Sequence, residues 1–333
     1  MLLPFGMREV LVDYSKITSR TFIPIFTSIF HEPWWLDAVA PGNWDEATVT
    51  SDGITIARLP YCTKHFMGIS GIGMPPLTHT MGPQLPLTGS TPDFRPSDYG
   101  KLITELMGQL PRHAFFYQVC DPSIGNALPM YALGYDSSLT YTLRIKADQS
   151  LDQTWKGMRP KLRQDVRNAQ KKFSIHYDLS IDEFCHFYNV NAQSNHNLRW
   201  SKAYQTRESL IKLRLYEACR KHDAVCLLAA RDEKGVLRAA SMPVWAHGVM
   251  FYLLASHDAD PAGRGSIKLL IWEALKMANQ KGLTFDFDSF WRPESVHTLT
   301  GFGGEVHNRI AITKMSPFLR FAREMKARSR FGI

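Results

Sequence analysis

Residues 249–290 read VMFYLLASHDADPAGRGSIKLLIWEALKMANQKGLTFDFDSF, and this stretch decides the fold. The apolar run Val249 to Ala255 predicts a buried strand, which the turn residues of 260–266 bring to an end. Apolar side chains then recur at helical spacing from Ile267 to Ala278, and a second strand is expected over Leu283 to Ser289. Two strands joined through a helix indicate a crossover in an α/β sheet, where ligands bind at the carboxyl ends of strands.

The turn Gly263-Arg264-Gly265-Ser266 opens the predicted helix. The first backbone N–H groups of a helix have no partner within it and carry the positive end of the helix dipole, which suits a phosphate or another anion. Glycines also let a backbone turn sharply when no ligand is involved. The turn alone therefore leaves a phosphate site and a plain turn open.

The composition is that of a soluble globular protein with room for two ordinary domains. The chain has 333 residues, of which 44% are hydrophobic and 21% are charged. The sequence shows neither an apolar run of membrane-spanning length nor a secretion signal, so we expect a cytoplasmic protein. Five cysteines lie scattered without C-x-x-C spacing, which predicts neither a disulfide framework nor a metal site.

Positive charge is concentrated in the second half of the chain. Residues 1–150 carry 10 Lys and Arg against 13 Asp and Glu, whereas residues 151–333 carry 29 against 18. This asymmetry favours an anionic partner, such as a phosphorylated cofactor, a nucleotide-linked substrate, a nucleic acid or an anionic membrane surface.

An amphipathic helix over residues 156–173 carries a row of basic side chains. The row consists of Arg159, Arg163, Arg167 and Lys171, spaced four residues apart, and Pro160 places the start of the helix near Arg159. The row is either a solvated face or a site for an anionic substrate, for which Arg159 and Arg163 are the candidates. Aromatic residues are not interleaved with it, which argues against a groove for single-stranded nucleic acid.

Three further segments bear on the site. Asn189 to Trp200 is rich in Asn, His and Gln, which suit either a hydroxylated ligand or an ordinary loop; Asn195 and Trp200 are its candidate substrate-binding residues. Gly68 to Pro96 is rich in proline and predicts a long loop that crosses the surface or lines a cleft. The pair Trp34-Trp35 predicts a plug in the core or between domains.

The order of elements after residue 150 resembles the acyltransferase superfamily of the general-control N-acetyltransferase (GNAT) type, and within it the FemAB-like branch with two such domains in tandem. The segments that carry the resemblance are Arg159–Lys172, Gly263–Ala274, Thr284–Ser289 with Phe302-Gly303-Gly304, and Lys314–Leu319. The resemblance implies a mixed α/β fold with two GNAT-like domains, residues 1–147 and 148–333. Each would be a mostly antiparallel mixed sheet flanked by helices.

The resemblance also implies an enzyme that transfers an acyl group onto an amine, from acyl-CoA or, in some members, from aminoacyl-tRNA. In the acyl-CoA users the pyrophosphate lies on a turn with the pattern Arg/Gln-x-x-Gly-x-Gly/Ala. Gly263 and Gly265 match the end of that pattern, whereas Asp260 stands where Arg or Gln is expected, and Arg264 is a substitute source of positive charge. No metal is implied.

An amine that arrives as an ammonium ion needs a base before it attacks a thioester. Asp286 and Asp288 alternate with phenylalanines, so on a strand both carboxylates face one side and raise each other's pKa. The alternative is that they anchor lysines or a loop. His257, after the preceding strand, is the competing base, and backbone N–H groups of residues 255–257 are candidate donors to the oxyanion.

The leading hypothesis is an N-acyltransferase that acylates the amino group of a dTDP- or UDP-linked deoxyamino sugar by direct amine attack, for bacterial surface polysaccharide such as lipopolysaccharide or capsule. Aminoacyl-tRNA-dependent transfer to a peptidoglycan precursor is the alternative, and it is the one version with a nucleic-acid partner. A non-catalytic binding module of the same fold is the third hypothesis. The sequence leaves a homo-oligomer open.

Overall fold

The computed structural model describes residues 28–51, 53–66, 68–86, 96–196, 201–288 and 293–320. Strands in this part of the chain are β1 (Trp44–Ser51), β2 (Ile54–Phe66), β3 (Ile69–Gly73), β4 (Phe115–Val119), β5 (Asp136–Ile145), β6 (Phe173–His176), β7 (Leu228–Asp232), β8 (Leu237–Ala246), β9 (Val249–His257), β10 (Thr284–Asp286) and β11 (Glu305–Met315). Helices are α1 (Pro33–Val39), α2 (Pro96–Gly108), α3 (Leu128–Ala132), α4 (Leu151–Gly157), α5 (Pro160–Gln170), α6 (Ile181–His196), α7 (Lys202–Lys221), α8 (Ser266–Gln280) and α9 (Pro293–Leu299).

The described strands form one mixed sheet in the order β1-β2-β3-β4-β11-β5-β10-β9-β8-β7-β6. Neighbours are antiparallel except for the pairs β3–β4 and β9–β10, which are parallel. The mixed α/β class expected from the sequence is confirmed. The sheet runs through both halves of the chain, because β11 lies between β4 and β5 and pairs with both.

Helix α1 packs the first half of the chain onto the second. Trp35 is fully buried in a core shared with α6, α7, β8 and β9, and its indole N–H donates to Thr78 Oγ1 at 3.0 Å. The neighbouring Trp34 stacks on His222 at the end of α7, with ring centroids 4.4 Å apart. The tryptophan pair is therefore a plug between the two halves, as expected.

Helices α5 and α8 form where the sequence places them, and they pack on each other. Pro160 occupies the first turn of α5, whose buried stripe is Leu162, Val166 and Ala169. Between the two helices Lys268 Nζ lies 2.6 Å from Asp165 Oδ2, which fixes the first turn of α8 against α5.

Three expectations about local structure are wrong. The segment Gly68 to Pro96, predicted as a long loop, begins with strand β3, which pairs with both β2 and β4. The strand predicted to reach Ser289 ends at Asp286, because the Asp286 carboxylate accepts the N–H of Asp288 at 2.9 Å and diverts the backbone from the ladder. The polar segment that begins at Asn189 is helical as far as His196, as the last part of α6. The side chain of its first residue is bound by the neighbouring helix α7, because Asn189 Nδ2 donates to Ser209 Oγ at 2.7 Å.

The division at residue 147 stays a prediction. That boundary falls directly after β5, whose neighbours β10 and β11 both come from the second half. Among the helices of the described residues, none has the length and apolar character needed to span a bilayer.

Candidate active site

The sheet opens between β9 and β10. Their parallel ladder joins Val249–Phe251 to Thr284–Asp286, and β9 then runs on to His257. Beyond Asp286 the chain follows the other neighbour instead, since Phe287 N–H donates to the carbonyl of Leu143 on β5 at 3.0 Å. The backbone of β9 past Phe251 therefore faces a gap at the carboxyl end of both strands, where α/β sheets bind ligands.

A chain of buried ion pairs closes one side of this gap. Asp286 accepts from Arg144 Nε at 2.7 Å, from Arg309 Nη2 at 3.1 Å and from the hydroxyl of Thr142 at 2.5 Å. Arg309 also binds the carboxylate of Asp288 through Nη1. At the other end Arg144 Nη2 reaches Asp121 Oδ2 at 3.4 Å. Asp286 is fully buried, and its carboxylate binds two guanidinium groups. It therefore has partners of opposite charge in addition to the neighbouring Asp288 carboxylate that was expected to raise its pKa.

Asp288 has an unusual backbone. Its φ is +54°, in the left-handed region, which costs a side-chain-bearing residue about 1 kcal/mol or more. The buried Asp288 carboxylate contacts Arg309 on one oxygen and Nδ1 of His79 on the other. The strained conformation thus aims the carboxylate at a histidine from the first half of the chain.

His79 is a site residue that the sequence analysis missed. It lies in the proline-rich segment 68–96, which was predicted to cross the surface or line a cleft, and its side chain keeps 15% of its surface exposed. Burial, and next the charge of Arg309, lower the pKa of His79, while Asp286 opposes them. Arg144 and Arg309 were missed as well. Strands β5 and β11 carry several other polar residues, so the sequence holds no signal that singles out these two arginines.

The turn before α8 has two different glycines. Gly265 is the N-cap of α8 with φ of +95°, and no side chain caps the helix there. Gly263 ends a short 3-10 turn and packs against a carboxylate, because a Cβ on it would lie 2.0 Å from Asp258 Oδ1. Ser266 is fully buried, and its hydroxyl donates to the carbonyl of Arg238 at 3.3 Å. Arg264 is exposed.

Three carboxylates next to this turn share one arginine. Arg238 lies 2.8 Å from Asp232, 2.8 Å from Asp258 and 2.9 Å from Asp260. Asp260 also accepts the N–H of Ala262 at 2.8 Å, and this bond, followed by Arg238, lowers the pKa of Asp260. The acidic residue that departs from the expected pattern is therefore ionised and held in place.

The predicted basic row on α5 contacts the protein itself. Arg159 donates to the ring of His297 at 2.7 Å, and a Cβ on Gly301 would lie 2.5 Å from its guanidinium. Arg163 lies 3.5 Å from the carbonyl of Trp155, whose ring is also covered by Arg167 at 5.4 Å. A substrate-binding role for Arg159 and Arg163 remains a prediction.

Two more predicted residues lie outside the described side chains. Asn195 is in α6, with its side chain not described, and Trp200 lies outside the described residues. His257 ends β9 opposite Ala239 and is exposed, while His79 is the histidine that contacts Asp288. In the described part of the chain there is no group of three or more His, Cys, Asp or Glu residues that could hold a metal ion.

Comparison with known proteins bears directly on this site. Residues 157–290 match the family described as acetyltransferase (GNAT) domain. This stretch of the second half is similar to a GNAT domain. It spans α5, the three antiparallel strands β7 to β9, the turn with α8, and β10 with Asp286 and Asp288. The protein is an acyltransferase.

Solved structures show the same fold over most of the chain. FemX superposes with a TM-score of 0.64 at 10% identity, covering 84% of this chain and 90% of FemX. A C-terminal DUF2156 domain from Agrobacterium fabrum superposes with a TM-score of 0.50 at 12% identity, covering 89% and 95%. No curated protein matches the sequence. The likenesses support a FemAB-like version of the GNAT fold.

Proposed function

We propose that this protein transfers an acyl group from acyl-CoA to the amino group of a nucleotide-linked deoxyamino sugar, by direct attack of the amine. The observation that carries the proposal is the gap between β9 and β10. This gap lies in the region similar to a GNAT domain. Beside it lie the N-terminus of α8, which has no side-chain cap, and the buried pair of His79 and Asp288.

The turn before α8 fits the diphosphate of a CoA thioester. Gly265 leaves the first backbone N–H groups of α8 without a side-chain cap, and the positive end of the helix dipole lies there. Arg264 adds an exposed positive charge. The carboxylates of Asp258 and Asp260 point away into ion pairs with Arg238, which reduces their repulsion of a phosphate.

The gap fits the thioester itself. Past Phe251, β9 has no ladder with β10 in the described residues, so N–H groups of residues 252–256 on that side can donate to the carbonyl oxygen of the thioester. Such donors stabilise the negative charge that develops on the oxygen when the amine attacks. Direct attack is favoured because the four most buried cysteines, Cys62, Cys120, Cys185 and Cys219, have pKa values raised by burial.

A nucleotide-linked amino sugar suits the acceptor side. The sugar supplies a primary amine, and its diphosphate suits the positive charge of residues 151–333. Such a substrate is cytoplasmic and leads to bacterial surface polysaccharide. We therefore infer that this protein works in the cytoplasm and serves polysaccharide synthesis. Acyl-CoA and the nucleotide sugar are the partners required, and no metal takes part in the proposed reaction.

The acidic surroundings of the turn favour one second candidate. Asp232, Asp258 and Asp260 share a single arginine, which leaves excess negative charge near the proposed phosphate site. An enzyme that takes its acyl group from aminoacyl-tRNA has no need of that site. The FemAB-like fold supports aminoacyl transfer to a peptidoglycan precursor as the alternative.

Product analysis by mass spectrometry separates the candidates. The purified protein is incubated with acetyl-CoA and a panel of dTDP- and UDP-linked 3- and 4-amino sugars, and in parallel with aminoacyl-tRNA and a lipid-linked peptidoglycan precursor. The proposal predicts an N-acylated nucleotide sugar with stoichiometric release of free CoA. An aminoacylated precursor, with acetyl-CoA left intact, would establish the alternative. Inactivity in both arms, together with no thermal stabilisation by saturating CoA, would favour a binding module.

A further inference from the structure

We infer that His79 and Asp288 form a dyad in which Nε2 of His79 takes the proton from the acceptor ammonium group. The inference rests on the proposed function, since it names the base of that reaction. It brings a residue of the first half of the chain into the active site of the GNAT-like region. His79 is thereby a catalytic residue, and Arg309 is a positioning residue.

The imidazole lies near the point where the gap begins. Phe30 packs on His79 with centroids 5.5 Å apart and on Phe251 with centroids 4.7 Å apart. Phe251 is the last residue of β9 in the ladder with β10. The side chain of His79 is 15% exposed, whereas that of Asp288 is fully covered, so a substrate reaches the dyad from the histidine side.

The contact with Asp288 determines the tautomer of His79. The carboxylate lies against Nδ1. We therefore expect the neutral imidazole to carry its proton on Nδ1, on the side of Asp288. Nε2 then has a free lone pair. The carboxylate also stabilises the imidazolium once Nε2 has accepted a proton, as a buried aspartate does for the histidine of a hydrolase triad.

The charges of the network suit a cationic acceptor. Asp121, Asp286 and Asp288 carry three negative charges against the two positive charges of Arg144 and Arg309. Burial lowers the pKa of His79, so the imidazole adds no positive charge before the substrate arrives. The network as a whole therefore carries one excess negative charge, which attracts an ammonium ion.

Arg309 and the backbone of Asp288 fix the dyad. Arg309 holds one Asp288 oxygen and leaves the other to the imidazole. The left-handed backbone of Asp288, at φ of +54°, is a conformation that the surrounding structure must enforce, and strain of this kind is concentrated at functional sites.

The proton transfers balance. His79 Nε2 takes one proton from the ammonium group, and the neutral amine forms the C–N bond to the thioester carbonyl. The C–S bond breaks, the amine nitrogen loses its second proton to the leaving thiolate, and free CoA and an amide result. The imidazolium then releases its proton to water, so each turnover yields one amide, one CoA thiol and one proton.

Kinetics of three variants test the role of His79. With acetyl-CoA and the best amino sugar of the panel, His79→Gln should lower kcat about 100-fold or more with KM nearly unchanged, since general bases contribute on the order of 100- to 10,000-fold. Added imidazole should restore part of the activity of His79→Ala. His65→Gln is the matched control, because His65 is an exposed histidine on β2 that hydrogen-bonds only at the surface. Less than a threefold fall in kcat for His79→Gln would overturn the inference.

Spectra of 15N-histidine-labelled protein test the dyad without any substrate. The His79 signal, assigned by its loss in His79→Gln, should show a neutral ring protonated on Nδ1, and Asp288→Asn should change that tautomer ratio. A ring protonated on Nε2, or one insensitive to Asp288→Asn, would overturn the dyad. If no amino sugar in the panel is acylated but the spectra show the predicted tautomer, the proposed acceptor is wrong and the dyad stands.

Discussion

Arg309 on β11 reaches across β5 and binds both carboxylates at the end of β10. Its Nη2 lies 3.1 Å from Asp286 Oδ2, and its Nη1 contacts Asp288 Oδ1. A side chain from β11 thereby sets the position of two carboxylates beside the gap between β9 and β10. All three side chains have at most 5% of their surface exposed, so none of these charges is hydrated when its partner is removed.

Removal of Arg309 should be strongly destabilising. Arg309→Met removes the only guanidinium that contacts Asp288 among the described residues and leaves Asp286 with Arg144 as its one cationic partner there. Breaking a buried pair by removing one partner costs about 3 to 5 kcal/mol. Urea denaturation measures the change in the free energy of unfolding. Arg320→Met is the matched control, because Arg320 is half-exposed and its pair with Asp136 should contribute less than about 1 kcal/mol. Equal costs for the two variants would contradict the assigned role of Arg309.

Stability should fall in mild acid because of His31. This histidine is buried between Ser28 and Gly82, and burial, partly opposed by Asp121, lowers the pKa of His31 to about 4. A lowered folded-state pKa means that the unfolded chain binds the proton more tightly. The stabilisation is therefore present above pH 6.5 and is lost as the pH falls towards 4.

Equilibrium unfolding at pH 7 and pH 4.5 measures this contribution. The lowering of the His31 pKa from 6.5 to about 4 corresponds to at most about 3 kcal/mol in the free energy of unfolding, at about 1.4 kcal/mol for each pKa unit. His31→Gln should remove most of the difference between the two pH values, whereas His65→Gln should leave it intact. An unchanged difference in His31→Gln would show that another group causes the acid sensitivity.

Gly265→Ala should weaken CoA binding. The backbone at Gly265 is left-handed, and alanine adopts that conformation at a cost of about 1 kcal/mol or more. The added Cβ would also lie 3.4 Å from the Cβ of Ala169. Displacement of the first turn of α8 moves the N–H groups proposed to bind phosphate, so the Kd for CoA measured by calorimetry should rise about tenfold. Gly235→Ala has the same strain at φ of +77°, in a turn with open space, and should bind CoA normally. Equal affinities in the two variants would place the phosphates elsewhere.

Asp260→Asn should strengthen CoA binding. Asparagine retains the oxygen that accepts the N–H of Ala262, while the negative charge next to the proposed phosphate site is removed. Because the carboxylate is exposed and screened by solvent, we expect a modest gain, a Kd lower by roughly twofold to threefold. Asp152→Asn removes an exposed charge on α4 and serves as the control. Weaker binding in Asp260→Asn would show that this carboxylate supports the ligand instead of repelling it.

The sequence predicted the scaffold well for a physical reason. Helices α5 and α8 and strands β7 to β9 each bury one face or one apolar run, and that periodicity is written locally in the chain. The turn with Gly265 follows from the same local pattern. The row of arginines on α5 shows the limit of this reasoning, because Arg159 and Arg163 contact other parts of the protein that periodicity does not reveal.

The candidate site could be predicted only in part. Asp286 and Asp288 were found because two carboxylates follow an apolar strand, yet their partners Arg144, Arg309 and His79 are distant in the chain. The strict alternation of a strand does not apply as far as Asp288, because β10 ends at Asp286. A side-chain hydrogen bond from the Asp288 N–H to Asp286 changes the backbone there, and such competition is invisible in an alternating pattern.

A single-turnover experiment with radiolabelled acetyl-CoA tests the central claim most directly. Enzyme in excess is mixed with the labelled thioester, with and without the nucleotide-linked amino sugar, and quenched in acid after increasing times. We predict that the label passes from CoA to the sugar and never appears on the protein. Label bound to the protein in the absence of the sugar would contradict direct amine attack. Label that stays on CoA when every sugar of the panel is present at saturation would contradict the proposed function.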